Sequence, residues 1–364
     1  MQRYTVMVVD DSAFMRKIIT DLISEDPAFE VIGTAKNGEE AVKKAREWKP
    51  DAITMDVEMP VMNGLEALQV IMSEMPTPVL MLSSLTDEGA RETIAALAQG
   101  AVDFVRKPSG SISLDLYKVK DILLDKLKTA VKAKVNKIPS PTVKSPVPTN
   151  KQRTHPRTTV TSLFKEPGTA ISRVVAIGTS TGGPKALQTV LSALPGNFPA
   201  PIIVVQHMPP NFTRSLADRL NSICELQVVE AEHDMVLIEG TVYIAPGGQH
   251  MRVNMSASGG LRIQLSKEAP RSGHRPSVDT MFESLVPLNG LKRYAVIMTG
   301  MGADGAKGIK DLRNNGAVAT IAESEETCIV YGMPRAAVEM QGIDQVVKLQ
   351  DIPHKLIELL QSRT

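Results

Sequence analysis

Residues 173–185 read RVVAIGTSTGGPK, and the order of their elements decides the kind of fold. Arg173 to Gly178 is an apolar, β-branched run of the length of a buried strand. It passes into Thr179-Ser180-Thr181-Gly182-Gly183, and Pro184 then suits a first helical position, where the missing N–H costs nothing. Strand, glycine turn and helix in that order make the joint of an α/β sheet. The joint leaves Ser180, the centre of Gly178-x-Ser180-x-Gly182, at the sheet's carboxyl edge beside the N–H groups of a helix. By itself this turn has two readings of equal weight. It can cradle a phosphate, or it can present a nucleophilic serine with oxyanion donors beside it. As a P-loop it is incomplete, because Pro184 separates Gly183 from Lys185 and the Gly-Lys-Ser/Thr ending is missing.

Two elements further along the chain favour the serine. Pro201 to Gln206 is a second buried-type strand, and it ends in His207, where Met208-Pro209-Pro210 stops it. Tyr294 to Thr299 is a third, running into the glycine turn Gly300-Met301-Gly302-Ala303-Asp304-Gly305. If the three strands share a sheet, Ser180, His207 and Asp304 lie on one rim, as acyl transfer needs. Further strands are expected at Leu226–Ala231, Thr241–Ala245, Leu261–Leu265 and Val318–Ala322, and helices at Ala186–Leu194 and Thr213–Asn221. The remaining histidines are read as surface or structural: His155 in a linker, His233, His250 and His274 in loop-like segments, His354 near the C-terminus. The order Ser…His…Asp also differs from the Ser…Asp…His of the α/β-hydrolases, which disfavours that fold despite the Gly-x-Ser-x-Gly match.

Upstream, residues 1 to about 125 alternate short apolar runs with helical patterns. Strands are expected at Thr5–Val9, Glu30–Ala35, Asp51–Asp56, Pro78–Ser84 and Asp103–Lys107. In Asn37–Trp48, Asn37 fits a helix N-cap and Ala41, Val42 and Ala45 give a stripe of helical period; Leu65–Met75 reads likewise. Such alternation implies a parallel sheet covered on both faces. Ligands of such sheets sit at the carboxyl ends of strands, where this chain places Asp10, Asp11, Asp56, Ser83 and Lys107. Three carboxylates tolerate one another by sharing a hard divalent cation, and oxygen-only ligands suit Mg²⁺. A lysine and a hydroxyl beside the metal make a pocket for a phosphoryl group, with an aspartate as its acceptor.

The whole chain has 364 residues, a length for two domains, and a formal net charge of +1, which gives no bulk signal for nucleic acid or membrane. Between the two halves, residues 126–165 hold ten Lys/Arg and no Asp/Glu, with five prolines from Pro139 to Pro156. The first part is expected to continue the fifth helix, and the rest reads as a semi-extended linker. Phe164 near its end is the single aromatic residue of this stretch, not an interleaved set for base stacking, so a nucleic-acid arm is disfavoured. Cys224 and Cys328 lack metal-ligand spacing and are read as buried thiols in a cytoplasmic protein. No apolar run reaches the ~18 residues needed to span a bilayer.

The first set of residues resembles the receiver domain of bacterial response regulators. With GTSTGGP, QHMPP, MTGMGADG, ETCIVYGMP (326–334) and HRPSVD (274–279) downstream, the chain resembles the CheB family, the protein-glutamate methylesterases of bacterial chemotaxis. The resemblance covers both domains and fails only in the linker. It implies a receiver at 1–125, a linker at 126–168 and a catalytic domain at 169–364. The fold class expected is α/β throughout: a flavodoxin-like receiver with a five-stranded parallel sheet in the order 2-1-3-4-5, then a doubly wound, mostly parallel hydrolase domain. By resemblance Asp56 is the phosphoacceptor, Asp10, Asp11, Asp56 and the backbone carbonyl of Glu58 hold Mg²⁺, Ser83 and Lys107 meet the phosphoryl group, and Phe104 is the switch aromatic. Ser180 becomes the nucleophile, His207 the general base and Asp304 its orienting acid, with backbone N–H groups near Thr181 and Met301 as oxyanion donors and no cofactor for the esterase. The implied partners are methyl-accepting chemoreceptors as substrate and the chemotaxis histidine kinase CheA as phosphodonor, with no nucleic acid and no membrane insertion. Deamidation of receptor glutamines by the same triad is also implied. The rival readings are a DNA-binding response regulator and a receiver-linked module without chemistry.

Overall fold

The computed structural model describes residues 3–84, 86–107, 113–133, 135, 171–256 and 260–361. Pro108, His155 and the predicted linker beyond Ala133, Val135 apart, lie outside the described residues. The first half runs β1 (Tyr4–Val9), α1 (Ala13–Ser24), β2 (Phe29–Ala35), α2 (Gly38–Trp48), β3 (Ala52–Asp56), α3 (Gly64–Glu74), β4 (Val79–Ser83), α4 (Asp87–Ala98), β5 (Asp103–Arg106) and α5 (Ser113–Ala130). The second runs β6 (Arg173–Thr179), α6 (Gly183–Leu191), β7 (Ile202–Gln206), α7 (Phe212–Ile223), β8 (Gln227–Glu230), β9 (Thr241–Ile244), β10 (His250–Met255), β11 (Leu261–Ser266), α8 (Val278–Leu285), β12 (Lys292–Ile297), α9 (Ala306–Asn314), β13 (Ala319–Glu323), α10 (Met333–Glu339), β14 (Gln345–Val347) and α11 (Ile352–Gln361).

The first sheet has the order β2-β1-β3-β4-β5, all parallel. Its central strands β3 and β4 are buried along their whole length, as parallel strands covered on both faces must be. Helix starts are set by local chemistry. The Asn37 side chain accepts from the Glu40 N–H, and Asn63 and Glu66 form a reciprocal capping box at the head of α3. Behind that box Gly64 lies against the main chain of Asp56: a Cβ there would stand 2.0 Å from the Asp56 carbonyl oxygen. The glycine thus sets how closely α3 approaches the end of β3.

The second sheet has seven strands in the order β14-β13-β12-β6-β7-β9-β8, every neighbouring pair parallel. The strand β6 that carries the glycine turn is central, flanked by β12 and β7. Helices α6, α7 and α11 cover one face, and α8, α9 and α10 with the antiparallel hairpin β10–β11 cover the other. The strands β10 and β14 are not among those expected from the sequence. His250, expected in a loop, is the first residue of β10 and is buried, with its ring on the Ala269 carbonyl. The β14 strand is only three residues long, below what a periodicity window detects, whereas β10 does alternate, with Met251 and Val253 buried and Arg252 and Asn254 on the other side.

The two halves are packed together. One buried apolar cluster runs from the α2–α3–α4 side of the first sheet into the α6–α7–α11 side of the second. The seam is α4 against α6 and α7, and at its centre the Phe104 and Phe212 rings stack with centroids 4.5 Å apart and planes 15° from parallel. Cys328 is buried and Cys224 half-buried, neither in a disulfide among the described residues, so only one of the two thiols is interior as expected. Among the described residues no helix is long and apolar enough to cross a membrane.

The Gly64 contact gives the first test. Gly64→Ala forces a methyl group into main chain that cannot yield, so urea unfolding should show a loss of about 2 kcal/mol or more. An unchanged midpoint would mean that α3 can simply shift away.

Candidate functional site

Parallel register sets the site in the second sheet. Thr179 of β6 pairs with Gln206 of β7, so Ser180 and His207 leave the sheet side by side. The His207 N–H donates to the Thr179 carbonyl at 3.2 Å. On the other flank β12 pairs with β6, and the turn after it returns Asp304 across the end of β6 to the histidine. His207 Nε2 lies 2.8 Å from Asp304 Oδ2.

Asp304 is 4 % exposed and has four partners. Besides His207 these are the Ser277 hydroxyl at 2.9 Å and the N–H groups of Val278 and Asp279 at 2.7 and 3.1 Å. The two N–H groups open α8, so a helix N-terminus faces the charge. Burial works to raise this carboxyl, but the bonds from His207 and the two N–H groups outweigh it and hold it at about 2. An ionised carboxylate only accepts, so Nε2 carries the proton and donates. Among the described residues the other ring nitrogen, Nδ1, is buried without a hydrogen-bond partner, and no bond joins it to Ser180 in this arrangement. It is the free basic nitrogen, one strand from the serine hydroxyl.

The serine's own turn is fixed from below. The Ser180 N–H donates to the Thr299 carbonyl, and Gln206 Nε2 donates to the Ser180 carbonyl at 2.9 Å. Thr299 Oγ1 donates to the Thr181 carbonyl, while the Thr299 N–H is taken by the buried carboxylate of Glu323 at 2.8 Å. Gly182 has φ +79°, and a Cβ on Gly183 would lie 1.9 Å from the Gln206 amide oxygen, so both glycines of the turn are steric requirements. Among the described residues no acceptor takes the N–H of Thr181 or of Met301. Both flank the serine, since a Cβ on Gly300 would stand 2.8 Å from that of Ser180.

The receiver reaches this rim. Asp103 Oδ2 accepts from Thr181 Oγ1 at 2.5 Å, and its Oδ1 accepts from Lys126 Nζ of α5 at 2.8 Å. Thr129 of α5 donates to the Met301 sulfur at 2.9 Å. The two residues expected to supply oxyanion donors are therefore both touched by the first domain.

In the receiver, Asp10, Asp11 and Asp56 bring carboxylate oxygens within 4.8 Å of one another, a donor set that fits a hard divalent cation. Lys107 Nζ spans two of them, 2.9 Å from Asp10 and 2.6 Å from Asp56. Burial pushes the Asp56 carboxyl up to about 6, against the lowering effect of Lys107. The Glu58 N–H also bonds Asp56. The Ser83 hydroxyl bonds away from this group, accepting from Thr93 Oγ1 at 2.7 Å and donating toward the Gly89 carbonyl of α4. Phe104 is buried in the seam, with Lys126 Nζ 5.0 Å from its ring centre.

Three participants escape the sequence reading. Glu323 ends an apolar strand, and Ser277 sits in HRPSVD, which has no role until Asp304 is placed beside it. His274, read as surface or structural, stacks on His207 with centroids 3.8 Å apart and planes 5° from parallel. A rim contact made by a loop 67 residues downstream of its partner has no spacing signature.

The chain matches the CheB methylesterase family over residues 175–356 and the response regulator receiver domain over residues 6–116. A protein-glutamate methylesterase/protein-glutamine glutaminase of Geobacillus kaustophilus is 51% identical over 360 residues, 99% of each chain. The protein of that name from Bacillus subtilis is 49% identical over 348 residues, 95% of this chain and 96% of its own. Among solved structures, the CheB methylesterase catalytic domain of Thermotoga maritima superposes with a TM-score of 0.50 at 46% identity, covering 51% of this chain and 97% of that one.

The fourfold bonding of Asp304 has a pH consequence. Its folded value lies below the ordinary carboxylate value of 3.8, so its contribution is complete above about pH 4 and is lost as pH falls toward 2. Asp304→Asn should lower stability near neutral pH by about 2 kcal/mol, with the gap to wild type closing below about pH 4. Urea unfolding at a series of pH values checks this; a gap independent of pH would assign the loss to packing.

Proposed function

The chain belongs to the CheB methylesterase family, a hydrolase joined to a response-regulator receiver, and we propose that Ser180, His207 and Asp304 carry its reaction on glutamyl methyl esters of chemoreceptors. The observation that carries this reading is the His207–Asp304 pair, which leaves a bare Nδ1 one strand from Ser180. His207 Nδ1 takes the proton of the Ser180 hydroxyl as Oγ attacks the ester carbonyl. Negative charge on the carbonyl oxygen meets the N–H groups of Thr181 and Met301. The imidazolium, steadied by Asp304, returns its proton to the leaving methoxide, and methanol departs. Water, deprotonated by the same nitrogen, then releases glutamate and frees the serine. With a glutamine side chain the leaving group is ammonia, which gives the glutaminase activity that the relatives' name carries.

In the receiver, Asp56 is proposed as the phosphoacceptor. Asp10, Asp11, Asp56 and the Glu58 carbonyl would hold Mg²⁺, which when bound neutralises charge between the acceptor and the phosphoryl group. Lys107 pairs with the phosphoryl oxygens. Ser83 would contact them after turning from its bonds to Thr93 and α4. The chemotaxis histidine kinase CheA is the proposed donor, and a cytoplasmic setting fits two cysteines that form no disulfide among the described residues. Phosphorylation adds about −1.5 to −2 charges at one end of a domain whose neighbouring face covers the Ser180 rim. The proposed control is release of that cover, with Phe104 as the switch aromatic at the seam. A DNA-binding output has no support in a seven-stranded parallel sheet.

The direct test is methanol release from a methylated chemoreceptor fragment, with and without Mg²⁺ and a small acyl phosphate. Wild type should release methanol faster with the donor. Ser180→Ala should lose at least about 10³-fold in kcat, and Asp56→Asn should keep the basal rate without stimulation. Methanol release by Ser180→Ala at the wild-type rate would remove the serine mechanism.

A second test addresses the cover. Asp103→Ala removes the carboxylate that bonds Thr181 without touching the triad, and it should raise the unphosphorylated rate severalfold, by about 1 kcal/mol of lost docking. A basal rate equal to wild type would leave Asp103 out of the control.

A further inference from the structure

HRPSVD (274–279) wraps the His207–Asp304 pair from two sides. Ser277 and the head of α8 bond the carboxylate, as described above, while His274 covers a face of the base. The two imidazoles are 3.8 Å apart between centroids and 5° from parallel. The loop that carries His274 is tied down: Arg271 N–H donates to the His274 carbonyl at 3.0 Å, His274 N–H donates to the Arg271 carbonyl at 2.9 Å, and the Arg271 guanidinium is paired with Glu283 of α8. The stack is thus presented by a braced turn.

We propose that His274 is a positioning residue for the hydrolysis, an uncharged ring that holds the plane of His207 and faces the imidazolium that forms as Ser180 attacks. Two bonds already locate His207: its N–H on Thr179 and its Nε2 on Asp304. Neither fixes rotation of the ring about the line from Cβ to Nε2, which decides where Nδ1 points. A parallel ring in contact does. The same ring also offers its π face to a cation that exists only after proton transfer. That role requires His274 to be neutral. Burial, and then the neighbouring His207, push its imidazole down to about 4, so it is uncharged in the working range.

The inference rests on the reading of His207 as base, and the test separates the two. Full-length wild type, His274→Ala and His274→Phe are assayed with Mg²⁺ and a small acyl phosphate on the methylated receptor fragment, with thermal unfolding of each. The alanine variant should lose about tenfold or more in kcat with KM within about twofold, because the stack acts on the transition state and not on substrate binding. The phenylalanine variant, which keeps a flat uncharged ring, should recover most of that loss. If the alanine variant does not fold, His274→Leu replaces it as a filler without a ring. An alanine or leucine variant with wild-type kcat overturns the proposal, as does a phenylalanine variant as slow as alanine, which would assign the effect to the imidazole nitrogens. No methanol release by wild type itself would instead sink the underlying reading of the site.

Discussion

A carboxylate buried among four hydrogen-bond donors cannot give up its charge near neutral pH, and the arrangement of the rim that carries Ser180 and His207 depends on that. Because Asp304 stays ionised, His207 must donate from Nε2, and Nδ1 must remain bare. The donors come from three places: a strand end, a loop serine and a helix N-terminus. Asp304 is therefore also a structural tie, joining the turn after β12 to the head of α8 across the end of β6. Removing the charge would change the tautomer of the base and loosen the tie together.

The fold class and the residues proposed as the triad are legible in the sequence because each rests on a local pattern repeated at a predictable place: an apolar run, a glycine or proline stop, and a polar residue at the junction. Asp10, Asp56, Ser180 and His207 all sit one step beyond or at the end of such a run. What is not legible is whatever reaches the rim sideways. Glu323 looks like the polar end of one more strand, yet it is interior and holds the Thr299 N–H. His274 lies in a segment without periodicity, and its partner is set by a loop path. Ser83 occupies a strand end as expected, but its hydroxyl turns under α4, a rotamer choice made by Thr93 on the following helix.

The contact of the first domain with Thr181 and Met301, beside the serine, is likewise a matter of which faces meet. The face used is β5, α4 and α5, next to the strand end that carries Lys107. Lys107 bridges Asp10 and Asp56 on one side of β5, and Phe104, three residues earlier, stacks on Phe212. At the first residue of the strand, Asp103 divides its oxygens between Lys126 and Thr181. A four-residue strand thus spans the distance from the acidic pocket to the nucleophile turn, with no long chain of intermediates.

The seam has one more property, set by what it is made of. It is part of a single apolar core that crosses from one sheet to the other, so parting the halves wets Phe104, Phe212 and the facing sides of α4 and α7, at roughly 25 cal/mol for every Å² exposed. Under the proposed release of the cover, the resting protein is the one with the cleaner surface, and the released one exposes an apolar face beside Ser180. Catalytic readiness and colloidal stability are set against each other by the same two rings, which favours a short-lived activating mark over a permanent one.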